Sequence, residues 1–272
     1  MSRVWFITGG SGGFGSAFAE AALEAGDRVV VTARHVGRSR GERVLRLPLD
    51  VTDPRQVHDA VDAAVAHFGR VDVLVNNAGR GWFGSVEGMD WPAVRDTFEL
   101  NFFGLVSVTR AVLPFMRARG RGWIVNMSSV AGVRAVPGFG FYSAAKHAVE
   151  GLTSALRSEV EPFGIRVMLV EPGAFRTRAY EGFAGEPVAE TVDAYEPFIA
   201  GVRDALIAQH GQQPGDPRRG ARAVIAAMAQ EPPPARLVLG SAAFDAVTSA
   251  LEEALAGVRA CEPAARSADY PP

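Results

Sequence analysis

The sequence predicts a single doubly wound α/β domain, a parallel sheet with helices on both faces. Three observations predict it. Short runs that are apolar at nearly every position alternate with longer helix-forming stretches, and strands of that kind are the ones buried on both faces. The first apolar run leads straight into a glycine-rich turn and then a helix. No linker interrupts the alternation through residue 170, and no repeat of solenoid period is present.

Residues 4–8 form the first expected strand. The Ala-, Phe- and Leu-rich stretch 14–25 forms the first helix, stopped by Gly26, which tolerates a positive φ. Further strands are expected at 28–32, 44–49 and 71–75. Asp53 caps a helix that begins at Pro54 and runs to about Phe68. The second half continues with a helix at 93–119 kinked at Pro114, a strand at 123–127, a helix at 142–163 and a strand at 166–170. A helix at 217–230 and a strand at 236–239 complete the pattern. Residues 1–261 form the domain, and the Pro- and Ala-rich stretch 262–272 is expected to fray. Residues 174–215 contain no clear strand, and they are expected to form a mobile cover over the substrate.

Composition bounds the function. The chain is 48% hydrophobic and 21% charged, close to the average for soluble globular proteins. A formal net charge of -2 leaves no electrostatic footprint for nucleic acid or an anionic membrane. The single cysteine, Cys261, cannot form an internal disulfide, which fits a reducing compartment. The first nine residues lack the features of a signal peptide, and no apolar run reaches the ~18 residues of a membrane span, so a cytoplasmic protein is expected. The five histidines, His35, His58, His67, His147 and His210, have no metal-ligand spacing, so no metal is expected.

The glycine-rich turn carries the first functional signal. Gly10, Gly12 and Gly15 match G-x-G-x-x-G, and Gly9, Gly13 and Gly15 match a second spacing that begins at Thr8. Either way, glycines stand where a strand turns into a helix, so backbone can approach a pyrophosphate at the positive end of the helix dipole. Gly9, Ser11, Gly13, Phe14 and Gly15 are the expected contacts. A tight turn with nothing bound is the bland alternative. Where an NAD-selecting fold places an acid, this chain has Ala33 followed by Arg34. A cation there accommodates a 2′-phosphate, and Arg38 and Arg40 lie in the same short loop. The expected cofactor is therefore NADP(H), against the alternative of a solvated basic loop.

The second signal is Tyr142 and Lys146, four apart in a helix-forming stretch and therefore on one face. A phenol is a poor acid near neutral pH, and an adjacent ammonium favours its ionised form and makes it a usable proton donor. Ser129 closes an expected strand, and strand ends of parallel sheets are where ligands bind.

Taken together, residues 8–15 (TGGSGGFG), Asn76-Asn77-Ala78-Gly79, Asn101, Ser129, Tyr142-x-x-x-Lys146, and Pro172-Gly173 with Thr177 resemble the short-chain dehydrogenase/reductase family. The match runs in order from about residue 4 to 178, and its joint pattern is specific where its pieces are not. Residues 142–156 and 170–177 resemble the subgroup of ketoreductases and hydroxysteroid- or retinol-type dehydrogenases. The resemblance implies a Rossmann-type fold and hydride transfer between NADP(H) and a ketone or secondary alcohol.

It also assigns roles. Tyr142 becomes the general acid or base, and Lys146 its tuner and ribose ligand. Ser129 orients the substrate oxygen, and Asn101 holds a water in a proton relay to Lys146. Asp50 and Val51 meet the adenine, Asn77 lines the cofactor cleft, Pro172 and Gly173 border it, and Thr177 contacts the carboxamide. Ser128 precedes Ser129 and leaves the serine ambiguous; the family's usual thirteen-residue step back from the tyrosine selects Ser129. Gly12 stands where many NADP-selecting relatives carry a base, which counts against NADP(H). The connection from Arg34 to Arg43 is too short for the family's usual helix, so an open phosphate pocket is expected.

Aromatics near the cleft, Trp82, Phe83, Phe139, Phe141, Phe175, Tyr180 and Phe183, are either contacts of a small-molecule substrate or simply core, and the aromatic content of residues 174–215 suggests that this substrate is a bulky apolar ketone. A homo-oligomer, dimer or tetramer, is expected through the helices that begin near Ala93 and Tyr142, with no nucleic acid or membrane partner. A catalytically silent nucleotide sensor on the same fold is the alternative function. Epimerases and dehydratases of the extended relatives fit less well, because they have a different glycine spacing and a larger C-terminal domain than the 95 residues after Thr177.

Overall fold

Eight apolar or short strands carry the architecture of the computed structural model, which describes residues 2–177 and 189–270. They are β1 (Val4–Ile7), β2 (Arg28–Ala33), β3 (Ser39–Arg40), β4 (Val44–Pro48), β5 (Val73–Asn76), β6 (Gly122–Met127), β7 (Ile165–Pro172) and β8 (Arg236–Leu239). They form one sheet in the order β3-β4-β2-β1-β5-β6-β7-β8. Every pairing is parallel except that of β3 with β4. The order reverses between β1 and β5, which opens a crevice at their carboxyl ends.

Helices cover both faces: α1 (Gly13–Glu24), α2 (Pro54–Phe68), α3 (Trp91–Phe98), α4 (Gly104–Ala118), α5 (Gly140–Val160), α6 (Glu196–Ile207), α7 (Pro217–Met228), α8 (Ser241–Ala260) and the short α9 (Glu262–Arg266). On one face Val57, Val61, Val108, Val112 and Leu156 of α2, α4 and α5 pack against Phe6, Val30 and Leu74. On the other, Phe18 and Ala22 of α1 meet Val224 and Ala227 of α7 over Trp5, Val29 and Val73. The sheet therefore has apolar residues pointing both ways, which is why its strands read as continuous rather than alternating apolar runs. Asp53 caps α2 through the backbone N–H groups of Arg55 and Gln56, and Gly26 leaves α1 with φ +83.

The structure differs from the sequence expectation in several places. The helix expected at 93–119 begins at Trp91, capped by Asp90, and is interrupted at Glu99–Phe103 by a π-helical turn rather than at Pro114, which lies inside α4. Asn101 is the reason. Its Nδ2 donates to Thr97 O at 2.9 Å, the carbonyl that the backbone of residue 101 takes in a regular α-helix. By length and mean hydropathy Trp91–Ala118 could cross a membrane, but Arg95, Asp96, Glu99, Arg110 and Arg117 interrupt it, and Val94, Val108, Val112 and Met116 point into the core.

Residues 174–215, expected to contain no clear strand, show none among their described residues; they hold the unanticipated α6 and an isolated bridge from Phe175 to Gly215. Residues 178–188 of that segment, with Tyr180 and Phe183, lie outside the described residues. The 20-residue α8 was not anticipated as an element, and Glu262–Arg266, expected to fray, is helical with every side chain exposed.

A buried polar chain ties the layers together. Asn76 Nδ2 donates to Thr109 Oγ1 and to Asn126 Oδ1, both at 2.9 Å, and Asn126 Nδ2 donates to Thr153 Oγ1 at 3.0 Å. The chain joins β5, α4, β6 and α5 through groups that have no water to fall back on. Replacing Asn126 with Ala leaves Asn76 and Thr153 each short of a partner, so urea unfolding should show a loss of about 1–3 kcal/mol. A change within ~0.5 kcal/mol of wild type, the range of an ordinary surface substitution, would mean the chain contributes nothing to the packing of these layers.

Candidate active site

The crevice between β1 and β5 is built around the glycine turn. Gly9 and Gly13 have φ of +64 and +55, a region that side-chain-bearing residues rarely adopt. A Cβ at Gly15 would lie 2.3 Å from Gly9 O, so the turn closes only with glycine there. The N-cap of α1 is Gly12, which offers no side-chain cap, leaving the first turn's N–H groups to meet an anion. Thr8, which opens the second glycine spacing, locks the turn to β5: its Oγ1 accepts from Asn77 N at 2.9 Å and Ala78 N at 3.0 Å. Asn77 Nδ2 donates back to Thr8 O and Gly9 O, so its amide fixes the turn while the residue borders the cavity.

The candidate catalytic side chains converge where β5, β6 and β7 end. A cavity of about 470 Å³ is bordered by Asn77, Ser129, Tyr142, Lys146, Pro172, Gly173 and Thr177. Lys146 and Tyr142 share a face of α5, with Nζ 5.7 Å from the centroid of the Tyr142 ring. Lys146 is buried and donates to Met127 O at 2.9 Å. Burial pushes its ammonium down to about 8, partly offset by the Glu150 carboxylate one turn further along α5. It is the only lysine in the chain; the other 27 basic side chains are arginines.

The two adjacent serines do different things. Ser128 is buried and donates to Glu150 Oε1 at 2.5 Å. Ser129 is extended, caps the 3-10 turn Val130–Gly132, and accepts from Ala131 N at 3.1 Å. That leaves the Ser129 hydroxyl hydrogen to donate into the cavity. Asn101 is buried with its Oδ1 unpartnered. A methyl on Gly79 would lie 2.7 Å from that oxygen and 3.5 Å from Lys146 Nζ, so the two polar atoms flank the same small space. A water there would satisfy both.

Other expected contacts sit further out. Arg34 is exposed at the end of β2, with no ion pair among the described residues, and Arg38 and Arg40 are exposed in the hairpin formed with β3. Asp50 follows β4 and accepts from Thr52 N and Oγ1. Val51 is buried against Gly104. Phe14 packs against Phe175 with the rings tilted and 4.7 Å between centroids, and Thr177 lies against Gly13.

Sequence reasoning missed the far wall of the cavity, made by Val136, Leu206 of α6, and Ala242, Ala243 and Ala246 of α8. Its signal was the apolar pair Ala243 and Val247, four apart and both buried. Of the aromatics, Phe139 and Phe175 border the cavity, while Phe83 is buried beneath Phe139 at 4.4 Å.

Behind Ser128 lies a charged cluster, also missed. Arg236 of β8 reaches Glu150 Oε2 at 3.0 Å and Glu171 Oε1 at 2.5 Å. Glu171, on β7, is fully buried. Two carboxylates face one guanidinium, so one of them favours its neutral form. Burial, reinforced by the neighbouring Glu150 charge, pushes Glu171 up to about 8 against the pull of Arg236.

The sequence and the fold both have relatives. A model of the short chain dehydrogenase family fits residues 3–184. The chain belongs to the short-chain dehydrogenase family. It is 37% identical over 261 residues to the oxidoreductase BOA17 of Botryotinia fuckeliana, covering 93% of this chain and 94% of that one. It is 38% identical over 243 residues to a 3-ketodihydrosphingosine reductase of Bacteroides thetaiotaomicron, covering 88% of each. Among solved structures, a short-chain dehydrogenase from Streptomyces avermitilis superposes with a TM-score of 0.86 at 40% identity, covering 99% of this chain and 100% of that one. Two further members, each 26% identical, were solved with different nucleotides. One from Burkholderia phymatum holds NAD, with a TM-score of 0.79 over 91% of this chain and 92% of that one. One from Burkholderia cenocepacia holds NADP, with a TM-score of 0.71 over 100% of this chain and 98% of that one. As a member of this family the chain is an oxidoreductase that uses a nicotinamide nucleotide on a small-molecule substrate.

The raised Glu171 makes stability depend on pH in a defined direction. A carboxyl that binds its proton more tightly when folded contributes stability that is complete below its ordinary pKa and lost as pH rises through about 8. Lys146, pushed down to about 8, acts in the opposite sense only above that pH. Wild-type unfolding free energy should therefore fall between about pH 5 and pH 8, and Glu171→Gln should flatten that fall. Urea titrations of both proteins across this window provide the check; parallel curves would place the proton elsewhere.

Proposed function

We propose that the chain is an NADP(H)-dependent reductase of ketones, or dehydrogenase of the corresponding secondary alcohols, acting on a bulky apolar substrate. The observation that carries this reading is the buried Lys146 one helical turn from Tyr142, at a cavity that Ser129 also borders. The nucleotide site fits its ligand. The glycine turn leaves room for a pyrophosphate, and the unpartnered Asn101 Oδ1 beside Lys146 suits a relay water.

When bound, the nicotinamide supplies or accepts the hydride. In the direction of reduction Tyr142 Oη donates its proton to the carbonyl oxygen, and Ser129 Oγ donates a hydrogen bond to the same atom. Lys146 holds positive charge beside the phenol and toward the nicotinamide ribose, and Asn101 accepts from the water that returns the proton. Asn77, Pro172, Gly173 and Thr177 border the nicotinamide, Asp50 and Val51 the adenine, and Gly9, Ser11, Gly13, Phe14 and Gly15 the pyrophosphate.

The exposed guanidinium of Arg34, following Ala33 at the end of β2, favours a 2′-phosphate. A bulky ketone suits a wall of Val136, Phe139, Leu206 and Ala246, and one relative is named a 3-ketodihydrosphingosine reductase. In this reading α6 serves as part of the cover, anchored by fully buried Ile199 against Phe83 and Phe139. The chain acts as one domain, in the cytoplasm, as a homo-oligomer.

Tyr142→Phe removes the proton donor and little else. Its kcat for ketone reduction should drop by ~10²–10⁴-fold while nucleotide affinity stays near wild type. Turnover above a tenth of wild type would remove Tyr142 from the chemistry. Arg34→Ala should lower kcat/KM for NADPH by about ten- to a hundredfold and leave that for NADH unchanged. Equal loss for both nucleotides, or a wild type that already prefers NADH, would overturn the cofactor reading.

A further inference from the structure

The second half of α8 stands clear of the body. From Leu251 to Tyr270 every described side chain is exposed, although residues 251–260 are regular helix. An isolated helix of that length is marginal in water, and most helical stability in proteins comes from packing one apolar face. This one has such a face with nothing on it. Phe244, Leu251, Leu255 and Val258 are exposed by 59%, 47%, 50% and 71%. Their spacing of seven, four and three residues places them in one stripe.

We propose that this stripe is where two copies of the chain pair, α8 against α8, antiparallel about a two-fold axis near Leu255. Charge selects the partner and the direction. Glu252 and Arg259 are two turns apart on the same flank of the stripe, and neither has a partner among the described residues. A two-fold axis across antiparallel helices brings like flanks together, so Glu252 of each copy faces Arg259 of the other, and Leu251 faces Val258. Parallel helices would bring opposite flanks together and leave both charges unmatched.

The same charges argue against a bilayer. α8 carries Asp245, Glu252 and Glu253 against the single cation Arg259, which an anionic lipid surface would repel. The surface is separate from the helices beginning near Trp91 and Gly140, through which relatives are expected to pair. Its first turns carry Ala242, Ala243 and Ala246 into the cavity wall, so pairing would anchor that wall.

Sedimentation of the full chain across the micromolar range tests the proposal, with circular dichroism confirming that each variant folds. Leu255→Glu should halve the assembly mass. Glu252→Arg and Arg259→Glu should each raise the dissociation constant by about tenfold, because two symmetric pairs become like-charged, and the double exchange should restore it. In a Cys261→Ser background, Leu255→Cys should form a disulfide-linked dimer on mild oxidation, while Ser249→Cys, on another face of the helix, should not. Three results would overturn the proposal: Leu255→Glu leaving the mass of wild type unchanged, a double exchange no better than either single change, or wild type binding phosphatidylglycerol vesicles through this stripe.

Discussion

The constraint on which the active end of this molecule depends is a single ammonium held out of water. Lys146 is buried, and among the described residues its ammonium donates to one protein oxygen, Met127 O. Burying such a group costs free energy unless the surroundings compensate. Here the compensation is assembled from the end of β6, from α5 and from the π-helical turn at Glu99–Phe103. Glu150 supplies the nearest opposing charge, Asn101 supplies an unused acceptor across Gly79, and β6 supplies the carbonyl. The arrangement suits an amine better than the guanidinium used everywhere else in the chain. A guanidinium is always charged and planar, whereas an amine can be tuned by its surroundings.

Much of the remaining structure follows from that need. Glu150 could compensate Lys146 only if it stayed negative, yet it sits beside Glu171 on β7. Arg236, arriving on the last strand, balances one of the two charges, and a proton on Glu171 balances the other. The hydrogen bond from Ser128 to Glu150 then commits the first serine to this cluster and leaves Ser129 to face the cavity. The candidate site is thus backed by a layer of polar and charged groups from β6, β7, β8 and α5.

The strands, and which residues gather at the cavity, were largely legible in the sequence because they rest on local signals. Apolar runs gave β1, β2, β4, β5, β6, β7 and β8 to within a few residues, and the i,i+4 step of Tyr142 and Lys146 is fixed by helical geometry alone. What was not legible depends on contacts distant in sequence. The π turn at Glu99–Phe103 arises because one side-chain amide captures a backbone carbonyl, which no periodicity records. Glu171 reads as an ordinary charged residue until β8 brings Arg236 beside it, 65 residues later. The far wall of the cavity was missed for a different reason: on the α8 side it is built of alanines, Ala242, Ala243 and Ala246, whose small side chains give a weak apolar pattern beside the Ala243 and Val247 pair.

The most direct test of this account is the titration of Lys146 itself. Because the chain has one lysine, uniform 13C labelling of that residue type gives a single side-chain Cε resonance, and its chemical shift against pH reports one ionisation. The account predicts a midpoint near about 8, moving lower in Glu150→Gln, where the opposing charge is gone. A midpoint at the ordinary lysine value of ~10.4, unmoved by Glu150→Gln, would contradict it.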